Sequence, residues 1–476
     1  MQRNAYTLKI GFFGIGLETY WEQFPGLKEK LESYIAIIHS KISAFGEEII
    51  NLGLIDNAEK AIEAGHVFKR ADVDIIFIYV STYALSATVL PIVQRTKVPV
   101  IILNLSPDTS INYAAFNALE NREAMTGEWL AYCSACPVPE IANVFKRSNI
   151  PFHEITGMLH EDACWTEIKE WVDAAKVAHV MAHNRLGAMG NYYPGMLDTY
   201  TDLTLQLATF GGHIELIEVD ELSAMRKTVA EIDVEERCDY FHNTFDMQPD
   251  CDPLDIKKAA RTSLALDRLV EKHSLGSLAY YYKGAPGSEN EETIASIILG
   301  NSLLTARGIP VAGEYEIKNA QAMKIMDAFG AGGSFTEYYA MDFADDIVLM
   351  GHDGPGHIAI SEGKTKVKPL TVYHGKVSHG LSVEMAVKYG PVTCLSVIEH
   401  NGKLSLMVAE GESVTGPILN IGNTNSRYRF SIGAREFVHQ WNSHGPAHHC
   451  AVGIGHIKSK IQKLGFLVGL ETIIVC

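Results

Sequence analysis

Along the first third of the chain, short apolar runs alternate with stretches whose apolar residues recur at helical spacing. Residues 8–14 read as a buried strand, 27–42 as a helix, 48–54 as a second strand and 57–68 as a second helix. Residues 73–80 and 99–105 are almost continuously apolar, and a helix is expected between them over 83–94, kinked or ended by Pro91. Apolar strands separated by helices predict a parallel sheet covered on both faces. Ligand loops of such a sheet sit at the carboxyl ends of its strands, which directs attention to residues 79–83 and 104–108.

A second α/β unit is expected from about residue 175. Residues 177–181 read as a strand leading into the polar, glycine-containing segment 183–198, a turn that admits close ligand approach. That segment lacks G-x-G-x-x-G spacing, so it carries no dinucleotide fingerprint. Further strands are expected at 213–219 and 278–282, and one long helix at 291–305. From Asp346 the texture changes: the apolar runs 346–350, 367–373, 392–399 and 404–408 are separated by Gly, Asp and Asn turns. This is the pattern of an antiparallel sheet or small barrel. The fold class expected is α/β, with two N-terminal three-layer α/β domains containing parallel sheets, then a C-terminal antiparallel β-barrel-like domain. The boundaries expected are 1–174, 175–345 (carrying the glutamates discussed below) and 346–476.

Composition narrows the function. At 476 residues and 47% hydrophobic, the chain is too apolar for disorder and too long for one ordinary core. Its net charge of −17, with no basic block, argues against a nucleic-acid partner. No run of 18 apolar residues predicts a membrane span, and the N-terminal apolar stretch reads as a first strand rather than a signal peptide. Eight cysteines are too sparse for a disulfide scaffold; Cys133 and Cys136 form a C-x2-C pair without a second pair to complete a zinc site. A cytoplasmic location fits this cysteine usage.

Four acidic or histidine positions stand out: Glu314 between an apolar segment and a helix, Glu337 after a glycine-rich turn, His352 in GHDGPGH, and the pair His448–His449. Two carboxylates and two imidazoles are suitable ligands for Mn²⁺ or another divalent cation. A sugar offering adjacent hydroxyl and carbonyl oxygens completes such a shell, and a nearby carboxylate can carry a proton between the two carbons. Spacing alone leaves other readings open: a surface or cap residue at Glu314, a loop histidine at His352 or at His357, a packed histidine at His448. His183, Asn184 and Arg185 fit either substrate contact or a loop and interface role, and His444 fits either a substrate or a subunit contact. Asp345 and Asp346 read as turn residues.

The second half resembles the L-arabinose isomerase family, within the wider arabinose/fucose isomerase fold group. Residues 313–320, GEYEIKNA, resemble its G-E-x-D/E-x-K-x-A segment; 334–339, SFTEYY, its S-F-x-E-x-Y segment; and 445–449, GPAHH, its G-x-x-H-H segment. Order and approximate spacing agree as well. The resemblance implies Glu314, Glu337, His352 and His449 as metal ligands, with His448 adjacent and the assignment within the histidine pair open. It implies the two glutamates as the acid/base groups of enediol proton transfer, Mn²⁺ as the favoured ion, and a homo-oligomer (trimer, tetramer or hexamer) whose active site draws on neighbouring subunits.

The first half departs from that family. Residues 14–21 read GIGLETYW where the family has a G-S-Q-H-L-Y-like segment, so Leu17 stands in place of a substrate-contacting glutamine. Residues 103–108, LNLSPD, and the segment after Met181 differ too. Replacing a polar partner by Leu changes which sugar hydroxyls are accepted. The function expected is therefore metal-dependent aldose–ketose interconversion of a small sugar other than L-arabinose. The alternatives are a metal-dependent epimerase or lyase on the same scaffold, and a non-catalytic sugar-binding protein.

Overall fold

The computed structural model describes residues 7–371 and 379–476, and the chain forms two compact units, Met1–Lys176 and Val177–Cys476. In the first unit, strands β1 (Lys9–Ile15), β2 (Glu48–Ile55), β3 (Ile75–Tyr79), β4 (Val100–Ser106) and β5 (Phe152–Met158) make one parallel sheet. Its order is β2-β1-β3-β4-β5. Every residue of β3 is buried, as a central strand covered on both faces requires. Helix Ala58–Ala71 starts where Asn57 accepts a hydrogen bond from the Lys60 N–H, and it turns Phe68 onto Phe13, Ile76 and Ile78. The loops after β1 and β3 tie to neighbouring backbone: Ser81 donates to the Ile15 carbonyl, and Thr82 to that of Leu130 at 2.8 Å.

The second unit contains β6 (Arg185–Gly190), β7 (His213–Ile217), β8 (Asp246–Met247), β9 (Ser277–Tyr281) and β10 (Val311–Ala312). Four of these form a second parallel sheet in the order β10-β9-β6-β7. Then follow β11 (Gly332–Asp342), β12 (Ile347–His352), β13 (Lys366–Leu370), β14 (Gly380–Glu384), β15 (Gly390–His400), β16 (Lys403–Val414), β17 (Thr424–Phe430), β18 (His449–Ile454) and β19 (Glu471–Ile474). A seven-stranded sheet runs β15-β18-β11-β12-β17-β16-β19, and the β15–β16 hairpin closes six antiparallel strands into a barrel. β19 pairs parallel to β16 outside that ring. Helix Ile317–Ala328 packs against β9, β10, β11, β15 and β18, and every residue from Ile317 to Asp327 is buried. Parallel α/β regions followed by an antiparallel barrel-like sheet are thus the architecture expected from the sequence. Among the described residues no helix is long and apolar enough to cross a membrane.

Several local expectations are corrected. The helix expected over 83–94 is a short 3-10 turn, Ser86–Thr88, followed by helix Leu90–Thr96. Pro91 sits in its first turn, where a missing N–H costs no helical bond. Residues 177–181 are not a strand but the end of helix Asp162–Ala182; its apolar residues Trp165, Ile168, Val172 and Ala175 carry the helical spacing through them. The strand is β6, whose small residues suit close packing: a Cβ on Gly187 would lie 2.8 Å from Leu275. His183, Asn184 and Arg185 therefore precede or begin the strand rather than follow it. The helix expected over 291–305 is two, Glu289–Ala295 and Ile298–Ala306, broken where the Ser296 hydroxyl bonds back to the Glu292 and Thr293 carbonyls. The strand expected over 213–219 ends at Ile217, and Val219 opens helix Val219–Lys227. Of the strand expected at 367–373, residues 372 and 373 lie outside the described residues; residues 367–370, in β13, join β8 and β14 in a separate three-stranded sheet, and Thr371 follows the strand.

Candidate metal centre

The barrel brings three separated segments to one end. Glu337 on β11 pairs directly with His449 on β18 and, on its other side, with Gly351, the neighbour of His352 on β12. Gly351 is required there, because a Cβ would fall 1.9 Å from the Thr424 carbonyl oxygen of β17. Glu314 arrives from the turn between β10 and the buried helix. Both Glu314 and Tyr315 hold left-handed backbone angles, φ 56° and 60°. For residues with side chains such conformations cost about 1–3 kcal/mol each. The turn is held by Tyr315 N–H donating to the Tyr280 carbonyl and Glu316 N–H to that of Gly313, both at 3.0 Å.

Glu314 Oε2 lies 3.4 Å from His449 Nε2 and 3.7 Å from His448 Nε2, while Glu314 Oε1 lies 3.9 Å from His352 Nε2. Glu337 Oε2 is 3.7 Å from His448 Nε2. Glu314, His352 and His449 offer ligand atoms within 4.8 Å of one another, as do Glu337, His448 and His449. Glu314 Oε2 and His449 Nε2 are both buried without a hydrogen-bond partner. A carboxylate oxygen and an imidazole nitrogen buried side by side without partners are costly, and both are metal-ligating atoms, so the donor set fits a cation. Glu314, Glu337, His352 and His448, with Asp353, Met196, Tyr193 and Tyr281, line a cavity of about 220 Å³, and His449 is buried behind it. A larger cavity, about 420 Å³, lies in the first unit around the Lys30–Glu128 ion pair.

The electrostatics divide the two glutamates. Burial opposes ionisation of Glu314, but His448, His449 and His352 outweigh it and hold its carboxyl below the usual range. At Glu337 burial prevails over His352 and His448 and raises the carboxyl. Burial also drives the His449 imidazole well down, with His352 and His448 adding to the effect, so the ring is neutral. Its Nδ1 lies 2.5 Å from Glu316 Oε2, a contact that fixes the ring and leaves the other nitrogen facing Glu314; burial pushes the Glu316 carboxyl up to about 8. At His352 the Gly354 N–H points at Nδ1 (3.0 Å), and Nε2 faces Glu314. Asp353 Oδ1 also stands 3.5 Å from Nδ1.

Other residues singled out in the sequence lie elsewhere. His183 stacks on His179, Asn184 donates to the Ser277 hydroxyl, and Arg185 pairs with Glu215; none of them lines the cavity. His444 caps helix Ala434–Ser443, and Leu17 is half-buried just after β1 in the first unit. His357 is buried beside Gly332. Asp345 pairs with Arg427, and Asp346 caps the helix at Ala434, both as turn residues. Sequence reasoning passed over Glu316, Lys318, Tyr193 and Asp198. The first two stand inside GEYEIKNA, two and four residues beyond Glu314, and the others in the polar segment after β6.

Comparison with known proteins bears on the same residues. The L-arabinose isomerase C-terminal domain family matches residues 332–471, which includes Glu337, His352, His448 and His449. L-arabinose isomerases from Nocardioides sp. and Shewanella baltica are 21% and 23% identical over 351 and 344 residues. Those alignments cover 71% and 67% of this chain and 68% and 66% of the relatives. A third, from Vibrio parahaemolyticus, is 20% identical over 356 residues, 71% of this chain and 69% of its own. The chain matches the L-arabinose isomerases at family level, at low identity. The matched C-terminal domain begins at β11, so Glu314 and the turn that carries it lie ahead of it. Solved ABC-transporter solute-binding proteins from Burkholderia multivorans and Rhodopseudomonas palustris overlay with TM-scores of only 0.17 and 0.18, at 13% and 11% identity. They cover 65% and 89% of this chain and 98% and 96% of theirs, and overlays of that quality carry no argument.

Proposed function

We propose that this chain is a divalent-metal-dependent sugar isomerase that interconverts an aldose and a ketose. The observation that supports it best is the pair of buried, unpartnered atoms, Glu314 Oε2 and His449 Nε2, within a set that also holds Glu337 and His352. In this reading Glu314, Glu337, His352 and His449 hold the ion, Mn²⁺ by resemblance, with other divalent cations as substitutes. When bound, such an ion polarises a sugar carbonyl and acidifies the hydroxyl beside it. Glu314, surrounded by three imidazoles, is the better permanent anion. Glu337, whose side chain is 31% exposed to the cavity, carries the proton between the adjacent carbons of the substrate through an enediol. Tyr193 and Tyr281, their rings 4.6 Å apart, form a wall that shields the reacting carbons from water.

The substrate is a small sugar other than L-arabinose; the resemblance supports a homo-oligomer, and the sparse cysteines a cytoplasmic location. The test is incubation of the purified protein with Mn²⁺ and a panel of pentoses, hexoses and deoxy sugars in D₂O. Deuterium at the carbon next to the new carbonyl or hydroxyl, with aldose and ketose both present, is the expected result. Deuterium returned to the same carbon with inverted configuration would replace this reading by epimerisation, and no turnover of any sugar would sink it.

A further inference from the structure

The glutamate-bearing segment contains two more charged side chains than the metal reading uses, Glu316 and Lys318. Both are buried, their side chains 1% and 7% exposed, and their charged ends lie 3.9 Å apart. A buried ammonium needs acceptors close by. Lys318 Nζ finds them in a distant stretch of chain, donating to the backbone carbonyl of Asp198 and approaching that of Tyr200 at 3.5 Å. This stretch is the 3-10 turn Leu197–Thr199. Its Asp198 faces His448: one carboxylate oxygen, Oδ2, accepts from the His448 backbone N–H at 2.9 Å and from its Nδ1–H at 2.6 Å.

Two donors of one residue converging on one oxygen fix the side chain relative to its own backbone. With Nδ1 committed to Asp198, Nε2 of His448 is the atom that faces Glu314 and Glu337, at 3.7 Å from each. His449 meets Glu316 through Nδ1 alone. The adjacent histidines thus have separate carboxylate partners, and Lys318 touches both arrangements.

We infer that Asp198 is a positioning residue for His448, and that Lys318 anchors the turn that carries Asp198. The kinetic consequence rests on the isomerase reading above; the geometric one does not. The Asp198 and His448 side chains are 41% and 36% exposed, so their contact contributes little to global stability. Removing it is therefore expected to affect orientation and turnover without unfolding the chain.

The test compares Asp198→Ala, Asp198→Asn and Lys318→Met with the full-length wild type. In a crystal structure of Asp198→Ala the His448 ring is expected to swing away from the carboxylates. Its kcat on the best sugar should fall about 10- to 100-fold, the usual cost of losing such a partner, with KM and Tm little changed. Asp198→Asn, which keeps an acceptor oxygen, should recover part of the loss, and Lys318→Met should displace the 197–199 turn. An unmoved His448 ring in Asp198→Ala, or an unchanged kcat, would overturn the inference; so would a fall in Tm that accounts for the lost activity. If the wild type turns over no sugar, the isomerase reading fails alone, and the position of the His448 ring still decides.

Discussion

His449 holds Glu316 through Nδ1 at 2.5 Å and turns Nε2 toward Glu314 Oε2 at 3.4 Å. One imidazole thereby links a wholly buried carboxylate to the carboxylate that faces the cavity. Glu316→Gln reverses or weakens that link while preserving volume. Affinity for Mn²⁺ is expected to fall about 10- to 100-fold, as read by titration followed by electron paramagnetic resonance. An unaltered affinity would mean that the ring is held by packing against Phe335, whose centroid lies 4.4 Å away.

Glu314→Gln and Glu337→Gln should each abolish sugar turnover, since one removes the anion among three imidazoles and the other the proton carrier. The two are expected to differ in metal binding. Glu314→Gln loses the carboxylate nearest His449 and should lose most affinity, whereas Glu337→Gln should retain more. Calorimetric titration with Mn²⁺ separates them.

Metal removal should be visible in stability. An ion that binds only the folded chain adds about 2.7 kcal/mol at a free concentration 100 times its dissociation constant. Treatment with a chelator should therefore lower Tm and abolish turnover, and Mn²⁺ should restore both. Because carboxylate and imidazole ligands bind deprotonated, affinity for Mn²⁺ should fall as pH is lowered, measurable by the same titration at two pH values.

Gly351→Ala should be disproportionately damaging for one added methyl group. The new Cβ meets backbone, 1.9 Å from the Thr424 carbonyl oxygen, so β12 and β17 must separate. Overpacking of this kind costs about 1–3 kcal/mol or more. A lowered Tm together with weakened Mn²⁺ binding, through displaced His352, is the expected signature.

Glu292 offers a pH test outside the site. Burial raises its carboxyl, but hydrogen bonds from Arg226 and Lys258 prevail and hold it below the usual range. A carboxyl with its folded pKa depressed stabilises the fold above its unfolded value, and that contribution disappears as pH falls through the folded pKa. The Tm deficit of Glu292→Gln should accordingly be present at neutral pH and shrink below about pH 4. A deficit independent of pH would contradict the assignment.

Strands β1 to β4 of the first parallel sheet, and β7 and β9 of the second, were legible because their apolar residues run together, as in residues 75–79 and 100–106, whereas β5, β6 and β10 were not read. Errors arose where local pattern and tertiary demand diverge. Residues 177–181 are apolar whether they end a helix or form a strand, and only the longer run back to Trp165 decides. Ser296 breaks a helix through its hydroxyl, a choice that periodicity does not encode. The GEYEIKNA segment marked Glu314 but not the work of Glu316 and Lys318, because their partners, His449 and the 197–199 turn, are far away in the chain. Asp198 carried a weaker signal still, as one acid in a polar turn.

The helix from Ile317 to Ala328 has no wet face. Its amides can exchange with solvent only when the surrounding unit opens as a whole, so they should be among the slowest in the chain. Glu316 and Lys318 stand at the start of that persistent element, while Asp198 and His448 belong to segments in contact with solvent. Hydrogen exchange should therefore resolve the site into a slow inner side and a fast outer side, with His448 on the side that can yield to an arriving sugar.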